Sequence, residues 1–502
     1  MSQVMDILQD TTLTYRQQLN SLAAYADNAA ERLDYGSKAR QMMKDGLICD
    51  LFEGELPYRP RYILPDYAKL MREGCEFLSL KPPTTIWEAI HTLLIFYEHV
   101  PSITTFPVYL GNIDTLLDPF VSNETEAYAA IRLFLQHIDR TLTDSFVHAN
   151  IGPRETPAGR LILRASKELQ CSIPNITLKY DPAITSESFA LLAADTALAC
   201  AKPSFCDHQQ YIADFGTEDY AIASCYNGFP IGGGGYTLIR LLLSHVAATA
   251  SSVEDFFQHS LPEAAGQILH IIDVRSRFIR NDCAFFQSSF LVKEGFIQPD
   301  RFAGMLGVVG LAEAVNTLLK PSCQQERFGY GKAANALGLR IIDTLSKMVR
   351  EHTCEVVGCN SGSHYLHAQV GSDIDEGFSP GCRIPVGEEP DLLDHILQSA
   401  PFHRYFPNGL GDVFIFEETY QKHPEALLRI IHGAFRNGLR YFSAYGAGAD
   451  LVRVTGYLAK RSDVERLERG EAVTNDTTIF AKGAKHNGHA FDRRIRRFPD
   501  ED

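Results

Sequence analysis

The chain has 502 residues, 45% hydrophobic and 22% charged, the balance of an ordinary soluble globular protein. Its formal net charge of −15 disfavours general nucleic-acid binding, which calls for a basic face. Eleven scattered cysteines, an odd number with no CxxC pair, read as reduced thiols and not as a secreted disulfide framework.

No apolar run reaches the roughly 18 residues of a membrane-spanning helix, and the most apolar stretch, Phe189 to Ala201, is interrupted by Asp195. Met1 to Leu8 has neither a basic nor an apolar leader character, so a cytoplasmic protein without a signal peptide is expected. Length alone suggests three domains at roughly 100–200 residues each, or one large closed barrel with an appended terminal domain.

In chain order, residues 1 to about 100 look helical. Ile86, Ile90, Leu93, Leu94 and Tyr97 recur at helical spacing, after a stretch broken by Pro57, Pro60 and Pro65. Ile176 to Tyr180 is β-branched and alternating, which predicts a strand, and Thr185 or Ser186 can cap a helix from Glu187 to Ala201. The four-glycine run Gly232–Gly235 does not satisfy GxGxxG; it suits close backbone approach or plain flexibility. An apolar helix is predicted over 238–250, a buried strand over 304–310 running into a helix at 311–320, and another helix over 333–352. Residues 360–412 are rich in Gly, Ser and Pro. A helix at 424–437 leads to a strand near 439–443, the glycine-rich bend Tyr445 to Ala449, and the run Leu451 to Val454. Alternating strands and helices suggest an α/β architecture. The closing cluster Arg493, Arg494, Arg496, Arg497 could dock the tail or a partner, with a solvated charge run before an acidic end, Asp500 to Asp502, as the default reading.

The run Leu451 to Val454 presents Thr455-Gly456-Tyr457. A glycine placed so usually marks a turn or a close backbone contact. Glycine also has a property that no other residue shares. Its Cα radical lies between an electron-donating amide nitrogen and a withdrawing carbonyl, and without a Cβ the centre flattens freely. A protein that stores a radical on its backbone would place it there.

The string Arg453-Val454-Thr455-Gly456-Tyr457, near the C-terminus and after a glycine-rich bend, closely resembles the signature loop of glycyl radical enzymes. That family includes pyruvate formate-lyase, glycerol and choline-type lyases and anaerobic ribonucleotide reductase. Upstream, Asp219-Tyr220-Ala221-Ile222-Ala223-Ser224-Cys225 resembles the segment that leads into the catalytic cysteine of formate-lyase-type members, which sits at the tip of a finger loop inside the barrel. Pro174 to Leu178 and Val309 to Val315 resemble further barrel segments, so the likeness spans about 170–462. A lone cysteine is most often a small buried hydrophobe; the likeness of its neighbours makes Cys225 the candidate thiyl residue, with Cys359, Cys171 and Cys206 in reserve.

The sequence also departs from known members. Formate-lyase carries two adjacent cysteines, the first holding the acyl group; here that position is Ser224, whose O–H bond is too strong for thiyl chemistry. Eliminating members carry a glutamate base two residues after the cysteine; here it is Asn227, which is no base. Asp214, Glu218 and Asp219 are alternatives that nothing in the sequence selects. The cysteine pairs that hold zinc near the glycyl loop of anaerobic ribonucleotide reductase are absent. Cys354, Cys359, His364, His367 and Cys382 fit no standard zinc spacing, and no metal is expected. The pattern looks most like the YjjI-type glycyl radical family.

The resemblance implies a ten-stranded α/β barrel of glycyl radical enzyme type with a helical surround and a C-terminal glycine-radical domain. Its parts would be 1–150, mostly helical; 151–415, a formate-lyase-like barrel with the cysteine finger loop; and 416–502, the glycine-radical domain. It implies a radical on Gly456, a modified residue, passed to Cys225 for hydrogen abstraction from a small organic substrate. A lyase, isomerase or acyltransferase-like reaction is favoured over a reductase. No cofactor is expected to be bound; a separate S-adenosylmethionine/iron–sulfur activating enzyme would install the radical. A homodimer is expected, without nucleic-acid or membrane partners. The competing readings are a ribonucleotide-reductase-like reductase of a nucleotide or nucleoside, which predicts nucleotide binding and a reductant such as a second cysteine close to Cys225, and a non-catalytic donor of a glycyl domain.

Overall fold

A computed structural model describes residues 3–29, 32–51, 53–369 and 376–498. The acidic end Asp500 to Asp502 and positions 370–375 of the loop-rich stretch lie outside the described residues. The strands are β1 (Ile48–Asp50), β2 (Tyr62–Leu64), β3 (His148–Ile151), β4 (Asn175–Tyr180), β5 (Ser204–Asp207), β6 (Tyr220–Ala223), β7 (Asn227–Pro230), β8 (Gly233–Leu242), β9 (Phe302–Val309), β10 (Tyr365–Ala368), β11 (Asp412–Phe416), β12 (Tyr441–Gly446), β13 (Leu451–Arg453), β14 (Leu458–Lys460) and β15 (Ile495–Arg496). Helices connect and wrap them, which makes the fold α/β.

Two sheets form the wall. In one, β3, β4 and β5 run parallel, β5 meets β12 antiparallel, and β11 lies parallel to β12. The other runs β8, β9, β10 in parallel, with β1 and β2 antiparallel along the free edge of β8. The segment 108–112 runs beside β3 through Leu110 N to His148 O and Asn150 N to Gly111 O, and Asn112 bridges Asn150 in parallel. With it, the first sheet carries one more extended stretch along the free edge of β3. β4 and β9 are buried along their whole length, the pattern of strands covered on both faces.

Local signals explain the helices around the wall. Thr85, Asn123, Thr156 and Ser186 each accept a hydrogen bond from the third residue of the helix that follows, satisfying one of its free N–H groups. Gly310, at φ +74°, turns β9 into the helix Leu311–Leu319.

One expected element is corrected. The apolar helix over 238–250 is a strand up to Leu242, and only Leu243–Thr249 is helical. A strand that lies between neighbours in mid-sheet reads as a continuous apolar run, which periodicity does not separate from a buried helix. The glycines 233–235 belong to the same strand. A Cβ on Gly234 would lie 2.0 Å from the Tyr62 carbonyl, so close backbone approach, not flexibility, explains them.

Candidate active site

Two hairpins enter the space inside the wall. The first pairs β6 with β7 and turns through Ser224-Cys225-Tyr226. The second pairs β13 with β14 and turns through Val454-Thr455-Gly456-Tyr457, closed by Val454 N donating to Tyr457 O at 3.0 Å. All of these residues are buried, Cys225 at 3% exposure.

Strands β3 and β4 hold both hairpins. Alternate residues of a strand share a face, and on β4 that face carries Asn175, Thr177 and Lys179. Asn175 Nδ2 donates to the carbonyl of Gly456 at 2.7 Å, while its Oδ1 accepts from Arg453 Nη2 at 2.9 Å. Thr177 Oγ1 is 2.7 Å from the Tyr441 hydroxyl, which donates to the carbonyl of Cys225 at 3.2 Å. Lys179 Nζ donates to the carbonyl of Tyr220 at the base of the first hairpin, at 2.5 Å. On β3, Asn150 forms a two-way pair with the backbone of Ile222, both bonds at 2.8 Å, and His148 Nδ1 lies 2.6 Å from Ser224 O. His148 Nε2 lies 2.8 Å from Thr177 Oγ1.

These contacts set the protonation of the site. Nδ1–H of His148 donates to Ser224 O, which fixes the tautomer, and burial holds the imidazole down at about 3, so the ring is neutral. Ser224 takes φ +58°, a left-handed conformation that serine adopts only when its surroundings impose it. Ser224 N donates to Val108 O at 3.0 Å. Burial pushes the Cys225 thiol up, so it stays S–H at neutral pH. Asn227 Nδ2 stands 3.7 Å from that sulfur. Lys179 is pushed down to about 8 by burial.

The radical-loop residues sit as follows. Arg453 is fully buried, donates through Nη2 to Ala201 O at 2.8 Å, and is lowered to about 10 by burial. Val454, Thr455 and Tyr457 are buried around Gly456. The arginine cluster is corrected in part: Arg494 and Arg497 are exposed, but Arg493 and Arg496 are buried. Arg493 is 7% exposed and reaches back to the radical loop, with Nη2 donating to Val454 O at 2.6 Å and Nη1 to Arg453 O at 3.2 Å. Arg496 is buried too, and bonds to Pro390 O and His395 Nδ1.

The reserve cysteines lie apart from the Cys225 turn in different degrees. Cys206, on β5, shares a buried cluster with Cys225, with its sulfur 3.8 Å from the Tyr220 hydroxyl. Cys171 neighbours Asp139 and Lys202, and Cys359 neighbours Tyr365 and Asp300. Of the candidate bases, Asp214 is ion-paired with Arg440, while Glu218 and Asp219 are exposed at the start of the first hairpin.

Asp273, Cys354 and His364 converge. Gly304 N donates to His364 Nδ1 at 2.9 Å, so the ring proton sits on Nε2 and donates to Asp273 at 2.9 Å. That arrangement ties the helix Leu261–Arg277 to the start of β10 and leaves no lone pair on Nε2.

Asn175, His148, Tyr441 and Arg493 went unread in the sequence as site residues. Asn175 had a signal, since it opens a strand already marked by its string; the others had none beyond residue type.

The family model "Glycyl radical enzyme YjjI-like" matches residues 13–496. An uncharacterized protein of Haemophilus influenzae is 46% identical over 499 residues, covering 98% of this chain and 97% of the relative. The uncharacterized protein YjjI of Escherichia coli K12 is 41% identical over 492 residues, covering 98% and 95%. Among solved structures, the anaerobic ribonucleotide reductase of Thermotoga maritima with dATP and CTP superposes with a TM-score of 0.70 at 12% identity, covering 93% of this chain and 92% of that one. The glycerol-bound B12-independent glycerol dehydratase of Clostridium butyricum does so with a TM-score of 0.68 at 10% identity, covering 99% and 88%. At these identities the structural likeness establishes the fold, and the sequence matches carry the family. The chain belongs to the YjjI-like family of glycyl radical enzymes.

Proposed function

We propose that Gly456 stores the radical and that Cys225 carries it to a small organic substrate in a lyase- or isomerase-type reaction. The observation that supports this reading is the attachment of both hairpin tips to one strand face: Asn175 to Gly456, and Thr177, through Tyr441, to Cys225. Two positions along a strand are about 7 Å apart, so the anchors hold the tips as neighbours.

The transfer balances without an outside reagent. The Cys225 S–H breaks, its hydrogen atom closes the Gly456 Cα–H bond, and the unpaired electron passes to sulfur. The thiyl then takes a hydrogen atom from a substrate carbon, and the product radical recovers it from the S–H at the end of the turnover. The two bonds are similar in strength, so the first step costs little, and fixed proximity supplies the rate. A raised thiol suits this chemistry, because the species needed is S–H and not thiolate.

A separate S-adenosylmethionine/iron–sulfur activating enzyme installs the radical, and the buried loop has to swing out to meet it. The bend at 446–449 is the hinge. Partnership with a second copy of the chain and a cytoplasmic location belong to the same reading.

A reductase is the second reading, favoured by Cys206 in the Cys225 cluster. Against it, the Cys206 sulfur is engaged with Tyr220, and burial pushes that thiol up to about 12.

Anaerobic activation followed by electron paramagnetic resonance tests the proposal. One remaining Cα hydrogen gives a doublet, which Gly456→Ala abolishes. Cys225→Ser keeps the doublet and loses substrate turnover. No doublet with a matched activating enzyme refutes the storage role.

A further inference from the structure

The site holds more positive charge than its own residues neutralise. Arg383 is 6% exposed. Its Nε donates to Gly411 O at 2.7 Å, and its guanidinium lies 5.8 Å from the ring centre of Tyr226, the residue next to Cys225. Its Nη1 is buried and has no hydrogen-bond partner. The acid beside it, Asp412, stands 4.0 Å from Nε and is already engaged by His395 Nε2 at 2.6 Å and by Val413 N at 2.8 Å.

Arg453, the last residue of β13 in the second hairpin, is a second buried guanidinium. It is wholly buried, its Nη2 bonds only to the neutral oxygens of Asn175 and Ala201, and its Nε and Nη1 have no partner. The two guanidinium groups oppose each other electrostatically, and both act on Cys225. A buried cation with open donors is costly unless an anion completes it. Arginine donors also match the oxygens of carboxylate and phosphate.

We infer that the substrate is a small organic anion whose carboxylate or phosphate group is received by Arg383, with Arg453 adding its field, so that a neighbouring C–H faces Cys225. This rests on the thiyl role of Cys225 proposed above and adds the charge class of what it attacks. A neutral polyol would leave the open Nη1 donor of Arg383 with no charge to meet.

Binding to the unactivated full-length protein tests it, since no radical is needed. The probes are sodium propanoate, sn-glycerol 3-phosphate and neutral propane-1,2-diol, titrated by calorimetry at constant ionic strength. At least one anion is expected to saturate at a Kd more than tenfold below that of the diol. Arg383→Gln should weaken it roughly 10- to 100-fold, the size of a lost charged hydrogen bond, and leave the diol unchanged. Propanoate and the phosphate ester separate the two anion types. Arg383→Lys, which keeps the charge but loses the planar fork, should recover part of the affinity; it also serves if the glutamine variant fails to fold. Equal affinity for diol and anions, no saturation by either anion, or anion binding indifferent to both substitutions overturns the inference. A doublet on Gly456 with no anion preference refutes this inference alone; anion binding with no doublet refutes only the radical reading.

Discussion

Asn175 and Thr177 stand two residues apart on one face of β4, and the first bonds the carbonyl of Gly456 while the second bonds the hydroxyl that holds the carbonyl of Cys225. Asn175 and Gly456 are 281 positions apart in the chain. Replacing Asn175 by Leu removes the Gly456 bond and a charged bond from Arg453, together about 2–4 kcal/mol of local stability. Amides of 453–458 should then exchange with deuterium at least tenfold faster, while those of 220–230 do not change. Peptide-resolved exchange decides it; equal loosening of both hairpins would mean that β4 does not anchor the loop separately.

Arg493 donates to two carbonyls of the radical loop from the far end of the chain. Arg493→Ala leaves both buried oxygens short of a donor, at a cost of about 2–3 kcal/mol. The expected result is faster radical installation at limiting activating enzyme and a shorter-lived doublet. An unchanged installation rate would show that the loop opens without releasing the tail.

Gly409 takes φ +114°, and a Cβ there would lie 2.0 Å from the carbonyl of Tyr226. Gly409→Ala therefore pushes on the cysteine turn and strains its own backbone, for about 2–4 kcal/mol. Turnover should fall at least a hundredfold while the Gly456 doublet persists, because the second hairpin is untouched. Full turnover in a folded variant would disprove that this contact positions Cys225.

Acid stability carries a signed test. His148 titrates at about 3 in the fold against 6.5 unfolded, so between those values the unfolded chain holds a proton that the folded chain lacks. Its contribution is present above pH 6.5 and is lost at about 1.4 kcal/mol per pH unit as pH falls. Asp144 is raised to about 7 by burial, so the folded chain is the one holding the extra proton as pH falls from 7 to 3.8, and that group works the other way. His148→Gln should flatten the dependence of unfolding free energy on pH between 6 and 4, and Asp144→Asn should steepen it. Urea midpoints at three pH values suffice; slopes parallel to the parent protein would contradict the protonation states assigned.

Both hairpin tips were legible in the sequence because each lies in a short contiguous string whose chemistry is local. β4 and β9 were legible for the same reason, as β-branched or apolar runs bounded by turn residues. The partners that make the tips a site were not. Asn175, His148 and Tyr441 act through register and sheet order, which no local pattern records. Arg493 and Arg496 resembled any basic tail, since burial of a charge depends on carbonyls supplied by distant turns. The strand within 238–250 was misread because a run covered on both faces loses the period of two.

The tail bonds that hold Arg493 on the loop and β15 on β11 fasten the Gly456 hairpin from the part of the chain that follows it. A fusion placed after Arg497 therefore bears on the Gly456 loop as directly as a substitution beside it.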